Sequence, residues 1–105
     1  DFIKDANTLN SSGVTVPISV GGGDGWTLTD WFENVYIRTA GVDKYDQLTA
    51  HKIPWTDPSV TTALNTLKQI WGDTSLIGSP ANALKVSFTA SVDNVFKANP
   101  TSAIV

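Results

Sequence analysis

Four glycines in five positions, Gly21-Gly22-Gly23-Asp24-Gly25, constrain this chain more than any other stretch of it. Such a block cannot continue a helix and weakens a strand, so it has to be a turn. The hydrophobic pattern changes across it. Before the block, Val14 to Val20 (VTVPISV) is rich in β-branched residues and reads as a strand. Pro17 cannot donate to a ladder, which places that run at an edge or a strand end. After the block, Leu28, Trp31, Phe32, Val35 and Tyr36 recur at helical spacing, and Gly41 sits where a helix stops. The order is therefore strand, glycine turn, helix.

Other helices follow from similar punctuation. Phe2, Ile3, Ala6 and Leu9 predict a helix over residues 1–12 that ends at Gly13. A shorter helix is expected over 43–50, with Tyr45 and Leu48 inward. The firmest local signal is Thr56-Asp57-Pro58, where Asp57 can cap free N–H groups and Pro58 fits the first helical position. From there Val60, Ala63, Leu64, Leu67, Ile70 and Trp71 hold one face as far as Gly72. Residues 72–82 (GDTSLIGSPAN) read as a loop. Phe88, Val92, Val95 and Phe96 mark a last helix over about 83–97, which Asn99-Pro100 stops. Ser102 to Val105 reads as the beginning of a strand. The expectation is an α/β fold dominated by helix, with two short parallel strands near 15–20 and 102–105.

At 105 residues the chain is one segment, and 41% hydrophobic side chains mark it as globular. Seven basic against ten acidic residues leave a net charge of −3, with no Lys/Arg cluster. That argues against a nucleic-acid partner and against docking on anionic lipid. There is no cysteine, which removes disulfides, thiolate metal sites and cysteine nucleophiles. The chain starts at Asp1 rather than Met, so either a leader has been removed or this is an excised piece; the far end, which stops as a strand begins, favours excision.

The glycine block is also the candidate site. Glycines between strand and helix let backbone approach a ligand closely and expose N–H groups at a helix start. Phosphate fits poorly, because the loop has no lysine and carries Asp24. Asp24 next to Trp26 instead pairs a carboxylate, which accepts hydroxyl hydrogen bonds, with an aromatic platform for a sugar's apolar face. The competing reading is a tight turn with Trp26 packed in the core. Trp31 and Trp71 fall in helical stripes and read as packing residues. Trp55 precedes a cap and reads as a hydrophobic staple. Catalysis finds little support: His51 is the single histidine, and Asp30 with Glu33 has the spacing of a capping box. That pairing leaves Asp24 without a second carboxylate for a glycosidase.

The run GGGDGWTLTDWFENVYIRTAG, then YDQLTAHKIPWTDPSVTTALNTLKQIW, resembles the extracellular solute-binding proteins of carbohydrate ABC importers, of the maltose- and alpha-glucoside-binding type. The closing FTASVDNVFKANPTSAIV is similar to a family helix leading into a strand, with Ala98-Asn99-Pro100 in place of a glycine turn. The resemblance covers essentially the whole chain. It implies the early part of the second lobe of a two-lobed receptor with a periplasmic-binding-protein-like type II fold. It also implies an extracytoplasmic location, a carbohydrate ligand, permease partners, and neither catalysis nor a cofactor. Sugar contact is carried onto Asp24, Gly25 and Trp26, and Asp24 is then expected to matter little for stability. Cut from its lobe, the chain is expected to self-associate. The alternative is a self-contained helical interaction module with no small-molecule ligand.

Overall fold

Asp1 opens the first helix, its carboxylate accepting the N–H groups of Ile3 and Lys4, as an N-cap should. In the computed structural model, which describes all 105 residues, seven helices follow one another. They are α1 (Phe2–Ser11), α2 (Trp26–Ala40), α3 (Val42–Thr49), α4 (Pro58–Trp71), α5 (Thr74–Ile77), α6 (Pro80–Ala83) and α7 (Phe88–Phe96), with a single 3-10 turn over Gly22–Asp24. The helix-dominated expectation holds. The two strands do not form. Their runs meet in parallel, but through one bridge only, between Ile18 and Ile104.

The reason lies in where the donors go. Pro17 has no N–H, and the N–H of Ile18 is donated to the Leu76 carbonyl at 2.9 Å. Only Ser19 donates across, to the Ile104 carbonyl at 2.8 Å, while the Pro17 carbonyl accepts from both Ala103 and Ile104. Residues 17–22 are buried, held between the C-terminal residues on one side and α5 on the other.

Residues 72–82 are likewise not a loop. The polar and proline residues that suggested one are caps. Asp73 accepts from the Ser75 N–H at 2.9 Å and starts α5, and Ser79 with Pro80 starts α6. These single turns bring Leu76, Ile77 and Ala83 into one apolar cluster with Ala6, Ile18, Val20 and Ile70. The last helix starts later than expected, at Phe88, because Ser87 caps it through the Ala90 N–H.

A second cluster joins α2, α3 and α4 through Tyr36, Leu48, Val60 and Ala63. Tyr36 is fully buried, with its ring stacked on Phe32 at 5.4 Å and its hydroxyl 2.9 Å from Ser59 Oγ. Two clusters side by side give an elongated body of 47 × 26 × 21 Å, with a radius of gyration of 14.9 Å. A rounder domain of this length would measure about 13 Å.

The cap predicted at Asp57 forms and is tightly held. Its carboxylate accepts from Ser59 Oγ at 2.6 Å, from the Ser59 N–H at 2.9 Å and from Lys44 Nζ at 3.1 Å. These donors, the Ser59 hydroxyl foremost, lower its pKa from 3.8 to about 2. The folded value lies below the unfolded one, so ionised Asp57 stabilises the fold above the unfolded value. That contribution is lost as pH falls through the range from 3.8 to about 2. Asp57→Asn retains a capping oxygen but cannot titrate, so melting temperatures followed across this range should fall less steeply for the variant. An unchanged acid slope would show that the Asp57 contacts add nothing; the slope expected to remain includes Asp73, whose pKa the Ser75 hydroxyl lowers in the same way.

Candidate functional site

The glycine block lies against the segment from Ala83 to Ser91, which runs from the end of α6 into α7. A Cβ at Gly21 would come within 2.7 Å of Ser91 Oγ and 3.0 Å of Phe88 Cα. One at Gly23 would come within 2.9 Å of the Val86 carbonyl oxygen. Gly23 also donates its N–H to that carbonyl at 2.8 Å. The close approach that glycine permits is therefore made to the protein's own backbone. Gly25, at φ 75°, turns the chain into α2 in a conformation other residues resist.

The three residues singled out from the sequence occupy that turn together. Asp24, Gly25 and Trp26 are all exposed. Asp24 Oδ2 accepts the N–H of Phe88 at 2.5 Å, so this carboxylate caps the first turn of α7 across 64 residues of sequence. Its other oxygen, Oδ1, has no hydrogen bond within the chain. No side chain caps the start of α2, because Gly25 occupies the capping position; Thr27 Oγ1 instead donates back to the Gly21 carbonyl.

Trp26 is not packed in the core. It is 51% exposed, with its ring centroid 5.2 Å from that of Phe88 and the two planes inclined at 50°. Phe88, one of the apolar residues that mark the last helix, is 46% exposed. It stands at the first residue of α7, where the stripe has barely begun, and no signal in the sequence pointed to it. Beneath the turn, a cavity of about 180 Å³ is lined by Val20, Gly22, Leu28, Trp71 and Leu84 among others. The Trp71 Nε1 is buried without a partner.

The other acidic candidates disperse. Because α2 begins at Trp26, Asp30 and Glu33 lie inside the helix and form no capping box. Glu33 accepts the Tyr45 hydroxyl at 3.3 Å and raises that hydroxyl's pKa. Asp30 lines a groove on another side of α2. His51 turns the chain after α3 with φ 55°. Trp55 is exposed and lies on Phe32 at 5.5 Å rather than stapling α4. Trp31 and Trp71 pack edge to face at 6.2 Å, as their stripes required. No three His, Cys, Asp or Glu side chains gather where a metal ion could be held.

A larger cavity lies away from the glycine turn. It is a groove of about 660 Å³ among α1, α2, α4 and the C-terminal residues, lined by Phe2, Trp31, Val35, Ile70, Ile104 and Arg38 among others. No helix is long and apolar enough to cross a membrane.

The turn thus carries a hydrogen-bond acceptor with no partner in the chain beside a half-exposed indole. Over 84 residues, 79% of its length, the chain is 37% identical to an osmoprotective compounds-binding protein of Synechocystis sp.. Over 88 residues, 81% of the chain, it is 32% identical to an alpha-glucosides-binding periplasmic protein of Rhizobium meliloti. The resemblance to the solute-binding proteins of carbohydrate ABC importers is borne out by these two relatives. The matched regions make up 20% and 19% of those relatives' own lengths. No family model and no solved structure matches the sequence.

Proposed function

We propose that this chain is the early part of the second lobe of a two-lobed, extracytoplasmic receptor of type II fold. That receptor captures a carbohydrate without chemistry and hands it to a membrane permease. Asp24, Gly25 and Trp26 contact the ligand: Oδ1 of Asp24 accepts a hydroxyl, and Trp26 lies against an apolar ring face. The observation that carries this reading is the exposed Trp26 ring beside an Asp24 oxygen with no partner in the chain. The relatives' names, which specify osmoprotective compounds and alpha-glucosides, support it.

The test is calorimetric titration of the full-length protein with alpha-glucosides, beside the isolated 105-residue chain. The full-length protein should bind. The isolated chain should bind weakly or not at all, because a cleft buries its ligand between two walls. It should also self-associate through the groove lined by Phe2, Trp31, Ile70 and Ile104, since an open apolar patch of this kind seeks cover. Tight binding by the isolated chain would remove the two-lobed reading, and a monomer by light scattering at high micromolar concentration would remove the association.

A further inference from the structure

Resting on the reading above, we infer that Phe88 is a further ligand-contacting residue, and that with Trp26 it selects a saccharide of at least two units over a single ring. The two aromatic rings adjoin at 5.2 Å, each about half exposed, and the Asp24 carboxylate lies between the elements that carry them. Their planes are inclined at 50°. One flat sugar ring can lie against only one of two faces set at that angle. A ring seated on Trp26 therefore leaves the Phe88 face for the next unit of the same ligand. Leu84, 59% exposed in the connection before α7, adds further apolar surface on this segment.

The placement of Phe88 is enforced. Its N–H is donated to Asp24 Oδ2, its Cα lies within 3.0 Å of where a Gly21 Cβ would stand, and Ser87 caps the helix behind it. A half-exposed aromatic side chain is thus held at the site through its backbone, whose carbonyl also accepts from Ser91 Oγ at 2.6 Å. Asp24 acts here as a positioning residue for Phe88 in addition to meeting the ligand itself.

The test uses the full-length protein, with maltose as the two-ring probe and methyl α-glucoside as the one-ring probe. Substituting the Phe88 side chain leaves its N–H in place, so Asp24 retains its partner in every variant. Phe88→Ala should lower maltose affinity several-fold to about tenfold, the range of a lost aromatic contact. Affinity for methyl α-glucoside should change by less than about twofold. Phe88→Tyr should restore maltose binding, and Phe88→Leu, which retains apolar bulk without a flat face, should not. Equal losses for both probes would mean that Phe88 only holds Trp26 in place, and an unchanged maltose affinity would mean that it does not touch the ligand. Either result overturns the inference while leaving the receptor reading intact. A wild-type protein that binds neither probe overturns both.

Discussion

Asp24→Ala in the full-length protein should reduce sugar affinity about ten- to hundredfold, the loss expected when a charged hydrogen bond worth roughly 1.5–3 kcal/mol disappears. The structure adds a cost that the sequence did not suggest. The same carboxylate caps α7 through the Phe88 N–H, so its removal should also destabilise the fold, by about 1 kcal/mol on the scale of lost helix caps. Asp24→Asn separates the two roles. It retains an acceptor for the Phe88 N–H and should melt close to wild type, while its neutral oxygen binds a hydroxyl less tightly than a carboxylate does. Calorimetry and thermal melts on the two variants decide the matter. Wild-type affinity in Asp24→Ala would take Asp24 out of the site, and an unchanged melting temperature would take it out of the cap.

The largest effect on stability is expected at Tyr36. It is fully buried at the centre of the second cluster, stacked on Phe32 and near Tyr45, with its hydroxyl against Ser59. Tyr36→Ala removes the ring and leaves a cavity, which costs about 3–5 kcal/mol for a large aromatic. That is a large share of the roughly 5–15 kcal/mol that holds an ordinary domain together. Tyr36→Phe keeps the ring and should cost about 1 kcal/mol, the net worth of one hydrogen bond, since the Ser59 hydroxyl keeps its bond to Asp57. Denaturant unfolding that places both variants within about 0.5 kcal/mol of wild type would show that the second cluster contributes little.

The elements that were legible carry their own punctuation. Asp57-Pro58 opens α4 and Gly41 closes α2 because capping and glycine conformation act over a few residues. Misreadings arose where one local signal serves two purposes. Asp73, Ser79 and Pro80 resemble loop residues and are helix caps, because each single turn they start is too short to show a period. Val14–Val20 has strand composition, but whether a strand forms depends on what its N–H groups meet, and Leu76 takes one of them. The geometry of the candidate site was half legible. Asp24, Gly25 and Trp26 stand together in the sequence as they do in space. Phe88 and the cap it receives from Asp24 did not show, because the residues that complete the turn lie 64 positions away and share no pattern with it.

The bridge between Ile18 and Ile104 bears on the order in which this body is made. It joins residues near opposite ends of the chain, and a polypeptide is synthesised from its N-terminus. Residues 17–19 therefore wait for nearly the whole segment before their last partners exist. Helices such as α2 and α4 depend on near neighbours and can form first, whereas the bridge closes a long loop and carries a larger entropic cost. Until it closes, Ile18 and Val20 lack part of their cover. A fastening made so far along the sequence is a delay built into the chain, postponing the finished core until Ile104 has been made.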